Sequence, residues 1–138
     1  MISKLHLEIA LKAALALGLA ASLMLPAAAQ APALAMLDGL DRGEWELRFR
    51  DGGDSQKICL KTGLELIQVR HPDQSCSRVV VEDGAQQVTV QYTCRGQGYG
   101  RTNIRRETDS LVQIEGQGIA GTRHFQFTAE ARRTGDCR

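Results

Sequence analysis

The chain has 138 residues, enough for one small domain with a modest core, and its 17 Lys/Arg against 16 Asp/Glu leave a formal charge of +1. That balance gives no sign of a nucleic-acid partner, which would call for a basic excess. The charge is distributed unevenly: residues 30–94 hold 7 Lys/Arg against 10 Asp/Glu, and residues 95–138 hold 8 Arg against 5 Asp/Glu. The arginine-rich half reads as a solvated face that could also meet an acidic partner.

The opening of the chain reads as processing information. Lys4 and Lys12 surround Glu8, Ala13 to Leu25 is apolar apart from small Gly and Ser, and Pro26-Ala27-Ala28-Ala29 supplies a signal-peptidase site. Cleavage is expected after Ala29, leaving 109 residues that begin at Gln30. The apolar run falls short of the roughly 20 residues that span a bilayer, so a periplasmic product without stable membrane insertion is expected.

Export decides how the four cysteines are read. An even count in an oxidising compartment implies disulfides, and Cys59, Cys76, Cys94 and Cys137 contain neither a C-x-x-C pair nor a His at ligand spacing. Two bridges are therefore expected in place of a zinc site or a thioredoxin-like redox motif.

From the Ala/Pro-rich leader, 30–42, order is expected to begin near Gly43. Gly43, Trp45, Leu47 and Phe49 alternate with Glu44, Glu46, Arg48 and Arg50, a period of two with Trp45 as a core residue. Asp51-Gly52-Gly53-Asp54 turns into a second strand, 55–61, with Ile58 and Leu60 coreward and Cys59 opposed. Thr62-Gly63-Leu64-Glu65 has capping-box form and predicts a short helix to about Val69, stopped at His71-Pro72, with His71 an exposed loop residue.

Cys76 to Cys94 reads as a hairpin around Asp83-Gly84. A two-residue loop would oppose Val79 to Val88 and place Val79, Val81, Val88, Val90, Tyr92 and Cys94 on the core face, with Cys76 and Arg78 on the other. By that parity Cys76 and Cys94 point apart, so the expected bridges are Cys59 to Cys76 and Cys94 to Cys137.

Beyond Cys94, the glycines of Arg95-Gly96-Gln97-Gly98-Tyr99-Gly100 suggest a turn, a bulge or a close backbone approach. The segment 101–108 has Ile104 as its only strong hydrophobe and reads as an edge or partner-facing strand. In 111–119, Val112 and Ile114 share a face; in the last strand Phe125, Phe127, Ala129 and Ala131 alternate with Gln126, Thr128, Glu130 and Arg132. The fold class is all-β and mainly antiparallel: a single curled sheet or small open barrel-like meander of about seven strands with one short helix, stapled by two disulfides. The domain plan is signal peptide 1–29, leader 30–42 and stapled β domain 43–138.

Gly43-x-Trp45, Ile58-Cys59-Leu60, Cys76 before the hairpin, Cys94 closing it, and Arg132-Arg133-Thr134-Gly135-Asp136-Cys137 at the end form a recognisable order. In these features the mature chain resembles the domain of unknown function 3617 family of exported bacterial proteins. Thr134 departs from that family's ending, where an apolar residue is expected. The resemblance implies an envelope location and a cysteine-stapled β domain, and it carries no catalytic residues.

The residues themselves offer no catalytic, cofactor-binding or metal-binding constellation. The expected function is a non-enzymatic binding or interaction module, monomeric, with an envelope protein or a small ligand as its partner. An inhibitor of an envelope or host hydrolase such as lysozyme is the alternative, because Tyr92-Thr93-Cys94 resembles the aromatic-x-Cys strand ending of that inhibitor class. A small hydrolase would need two of Glu44, Glu46, Glu65 and Glu130 to converge as acid and base.

Overall fold

A computed structural model describes residues 34–138. The expected signal peptide and its cleavage site lie outside the described residues. Seven strands, β1 (Gly43–Phe49), β2 (Gln56–Leu60), β3 (Cys76–Asp83), β4 (Gln87–Cys94), β5 (Gly98–Thr108), β6 (Leu111–Ala120) and β7 (Arg123–Gly135), form one antiparallel sheet. The spatial order is β2-β1-β7-β6-β5-β4-β3, so the sheet is open, with β2 and β3 as its edges. β3 to β7 follow one another as a meander, and β7 returns to pair with β1.

Strand alternation sends Trp45, Leu47, Leu60, Val88, Val90, Tyr92, Ile104, Val112, Ile114, Phe127, Ala129 and Ala131 to one buried cluster, with Phe49, Ile58 and Phe125 packed against it. This inner face is covered by two segments that are not strands. The first is Leu34 to Leu40, which contains a single helical turn, α1 (Ala35–Asp38), and buries Leu34, Met36, Leu37 and Leu40. From Leu34 onward, then, the expected loose leader is part of the core. The second segment runs through a 3-10 turn, Leu64–Leu66, and buries Leu66, Ile67 and Val69. The two segments touch, because a Cβ on Gly63 would meet the Leu37 carbonyl oxygen at 2.7 Å.

The short helix expected after Thr62 is only that 3-10 turn. Gly63 adopts a positive φ of 89°, and the Glu65 carboxylate folds back onto the turn, where it accepts from the backbone N–H groups of Lys61, Thr62 and Gly63 and from the Thr62 hydroxyl. The Thr62 oxygen accepts from Leu64 N–H, leaving the reciprocal bond of a capping box unmade. Partial burial opposes the Glu65 charge, but these donors outweigh it and hold the carboxyl below its ordinary value of 4.5.

His71 is 4% exposed, contrary to the expectation of an exposed loop residue. Its Nε2 lies 3.1 Å from the Gln97 carbonyl oxygen, which can only accept, so Nε2 carries the proton; Nδ1 then accepts from the Tyr92 hydroxyl at 3.1 Å. Burial pushes the Tyr92 phenol up to about 12. The pair ties the loop before β3 to β4 and to the turn before β5.

The hairpin register differs from the two-residue Asp-Gly loop. β3 continues through Asp83, the loop is Gly84 to Gln86 with Gly84 N–H bonded to the Gln87 carbonyl, and Val81 is an extra residue bulged out between Val80 and Glu82. Val80 therefore faces Val90, while Val79 and Val81 are turned outward at 67% and 50% exposure. The same shift brings Cys76 directly opposite Cys94, and they are bonded. At the other end of the sheet, Thr134 is extra on β7, since Glu44 pairs with Gly135 and Trp45 with Arg133. That slip reverses the parity of the terminus and delivers Cys137 to Cys59, itself opposite Glu44. The expected pairs Cys59 to Cys76 and Cys94 to Cys137 are thus replaced by Cys59–Cys137 and Cys76–Cys94. By loop-closure entropy, the bridge of sequence separation 78 is worth about 4.5 kcal/mol and that of separation 18 about 3 kcal/mol.

Segment 101–108 lies in β5, between β4 and β6, and is not an edge. Its inner residues Thr102 and Ile104 are buried, with the Thr102 hydroxyl donating to the Ile67 carbonyl of the covering segment.

If the covering segment is core, Leu37→Ala should lower stability by about 2–5 kcal/mol in denaturant melts; a loose leader would leave the midpoint unchanged. The Glu65 carboxylate, with its folded pKa depressed, contributes stability that is present above the unfolded value and is lost as pH falls through the folded one. The gap in Tm between wild type and Glu65→Gln should therefore be constant above about pH 5 and close at lower pH.

Candidate functional site

The face of the sheet turned away from the core is polar, and the register arranges it in cross-strand rows. Thr93, Tyr99, Ile119 and His124 form one row over β4 to β7, and Gln91, Arg101, Gln117 and Gln126 form the next. Thr89, Asn103, Glu115 and Thr128 follow, then Gln87, Arg105, Gln113 and Glu130. Neighbouring strands stand about 4.8 Å apart and neighbouring rows about 7 Å apart.

The rows differ in how far their polar groups are already used. In the last, Gln87 bonds Glu82, Arg105 pairs with Glu107 at 3.0 Å, and Gln113 accepts from Arg50 at 2.7 Å. In the third, Asn103 donates to Thr89, whose hydroxyl donates to Glu82. By contrast, among the described residues no side-chain hydrogen bond or ion pair engages Gln91, Arg101, Gln117 or Gln126. Four adjacent strands present three amides and a guanidinium with their donors and acceptors free.

This row lies in a hollow. A cavity of about 550 Å³ lined by Gln91, Tyr99, Arg101, Gln117, His124 and Gln126 adjoins one of about 180 Å³ at Asn103, Glu115 and Thr128, and then one of about 490 Å³ reaching Arg50 and Arg105. Together they make a trough along the strands. Its floor is low because the inner face beneath carries glycines. A Cβ on Gly100 would strike the Tyr92 ring, one on Gly116 the Phe127 ring, and one on Gly118 the Phe125 ring at 2.9 Å. With no side chain between, the backbone of β5 and β6 lies directly on these rings beneath the trough.

A second hollow, about 600 Å³, opens at the seam beside β2, lined by Lys57, Ile58, Leu64, Pro72 and Arg78 among others. Here Lys57 is committed to Glu44 at 2.9 Å, Glu65 to its own turn, and the Gln68 amide to the carbonyls of His71 and Gln74, while Gln56, Lys61, Asp73, Gln74 and Arg78, which stay open among the described residues, are scattered over β2, β3 and the loops between and form no cross-strand row.

Of the residues singled out from sequence, the four cysteines all serve as staples at the two ends of the sheet and none lines the trough. The four glutamates weighed as acid and base do not converge. Glu44 is held by Lys57 and Thr134, whose bonds lower its pKa; Glu46 pairs with Arg48; Glu65 serves its turn; Glu130 pairs with Arg132. Among the described residues Glu115 is the only carboxylate lining the trough. Strand alternation puts Gln126 on a wet face, but its alignment with Gln91, Arg101 and Gln117 follows only from the register of four strands.

The glycine floor is testable by itself. Gly116→Ala forces the Phe127 ring to move and should cost about 1–3 kcal/mol, read as a lower denaturant midpoint at unchanged m. No protein-family model, no curated protein and no solved structure matches this chain.

Proposed function

We propose that this chain is an exported, non-enzymatic binding module that engages a polar ligand across the outer trough. The observation that carries this reading is the row Gln91, Arg101, Gln117 and Gln126, which crosses β4 to β7 in register with its hydrogen-bonding groups unspent among the described residues. Polar side chains on a sheet face commonly satisfy one another, as the neighbouring rows do. A row left open in a hollow is arranged to be completed from outside. Two disulfides that staple both ends of the sheet fit an oxidising compartment and a rigid platform. The resemblance to exported proteins of the domain of unknown function 3617 family supports the same location.

The test uses protein recovered from the periplasm, whose mature chain should begin at Gln30. On addition of soluble envelope extract, the side-chain amide resonances of Gln91, Gln117 and Gln126 should shift, while that of Gln68, already bonded to two carbonyls, should not. Shifts confined to the seam beside β2 would overturn the reading.

A further inference from the structure

We infer that the trough takes an acidic polysaccharide strand lying along β5 and β6, an inference that rests on the trough being the binding site. Each glutamine amide offers both donors and acceptors, which is the demand made by vicinal hydroxyls and acetamido groups. Gln91, Gln117 and Gln126 supply three such amides on successive or near-successive strands. Between them stands Arg101, a planar fork of donors with no acceptor capacity, and among the described residues no carboxylate takes it. A carboxylate on the ligand is the matching group. One row away, Tyr99 is 48% exposed and faces Ile119 across the strands, an apolar surface beside the amides on which the C–H face of a sugar ring can pack.

The other polymer classes fit this surface less well. The strands beneath the trough are paired on both sides, so an extended peptide finds no edge for strand addition. The lining lacks the deep apolar pocket that a peptide's anchoring side chain would fill. Single-stranded nucleic acid is held by successive aromatic platforms, and among the described residues Tyr99 is the only exposed large aromatic, with the smaller His124 ring in its own row and no ring in the rows beyond. The row of Tyr99 and the row of Arg105 are about 20 Å apart, room for roughly four sugar residues in extended form. Glu115, in the intervening row, would repel a carboxylate and accept from hydroxyls. The ligand's negative charge is thereby seated at Arg101 and its neutral stretch at Glu115.

The test titrates the mature domain with four probes: a β-1,4-linked hexamer in which a uronic acid alternates with a neutral N-acetylhexosamine, the wholly neutral hexamer of the same linkage, an acidic peptide and an oligothymidylate. Affinity is followed by calorimetry and location by the glutamine amide resonances. The uronic acid hexamer should bind with shifts at Gln91, Gln117 and Gln126, and the neutral hexamer about tenfold more weakly. Arg101→Gln should remove about that tenfold preference, so that the two hexamers bind alike, whereas Tyr99→Ala should weaken both and keep the preference. Arg78→Ala, at the seam, should change neither. Equal binding of the two hexamers, or full retention of the acidic preference in Arg101→Gln, would overturn the assignment of the carboxylate. Shifts of the three amides with the peptide or the oligonucleotide but with neither hexamer would overturn the polysaccharide class and leave the trough standing. If neither the probes nor envelope extract moves those amides, the trough itself fails as a binding site.

Discussion

A broad antiparallel sheet has two faces, and this chain carries apolar side chains enough to bury one of them. Everything else in the structure follows from how that face is covered. No second sheet and no long helix among the described residues packs on it; two short irregular stretches, Leu34 to Leu40 and Leu64 to Val69, do the work instead. Irregular backbone over a core carries polar groups that must be satisfied. Here they are: Leu34 N–H donates to the Asp83 carboxylate, the Ile67 carbonyl accepts from Thr102, the Asp41 carbonyl accepts from the Trp45 indole, and His71 bridges Tyr92 and Gln97. Among the described residues no buried side-chain polar atom lacks a partner. The cover and the sheet are joined as much by this polar stitching as by apolar contact.

The fold was largely legible because strand alternation is a strong signal. Trp45 and Leu47, Val88 and Val90, and Phe127 to Ala131 announce their faces by period alone. Disulfide connectivity was not legible, and the reason is arithmetic on a period of two. Asp83 pairs with Val88, a shift of the turn that keeps the expected parity, so the one extra residue at Val81 is what turns Cys76 to the side of Cys94. One extra residue at Thr134 turns Cys137 to the side of Cys59. The Val81 slip carries no glycine or proline, and the Thr134 slip is marked only by the Gly135 that follows it, a residue that suits a strand end as well as a bulge. The covering segment was missed for a related reason: Leu34, Met36, Leu37 and Leu40 have no helical or strand period over so short a run, and their burial is decided by the hollow they fill.

The candidate site stood further from view than the fold. That Gln91, Gln117 and Gln126 point to solvent can be read from their strands one at a time. That they share a row with Arg101 depends on the lengths of three turns, each of which shifts the alignment by a residue if misjudged. That their donors and acceptors stay free depends on what does not lie beside them, which no pattern in the chain encodes. Thr89 shows the contrast: it is on the same outer face, yet Glu82 and Asn103 close over it until it is buried, because the Val81 bulge swings Glu82 to that side.

One feature of the sequence does bear on both faces at once. Gly98-Tyr99-Gly100 in β5 and Gly116-Gln117-Gly118 in β6 each set a large outward side chain between two inward glycines. Strand parity makes the two roles inseparable: wherever the inner face is stripped of side chains so that Tyr92, Phe125 and Phe127 can lie against bare backbone, the residue between is presented outward over a lowered floor. Glycine in a strand costs conformational entropy and packs nothing itself, so a pair on each of two adjacent strands weakens the sheet where it is most central. The aromatic rings recover part of that loss from within, and the hollow on the outside is its geometric consequence. The depth of the trough and the packing of the core therefore meet at Gly100, Gly116 and Gly118, whereas Gly98, where a Cβ would meet the Ile119 backbone and His71, serves the close approach of β5 to β6; a change that fills one face must deform the other.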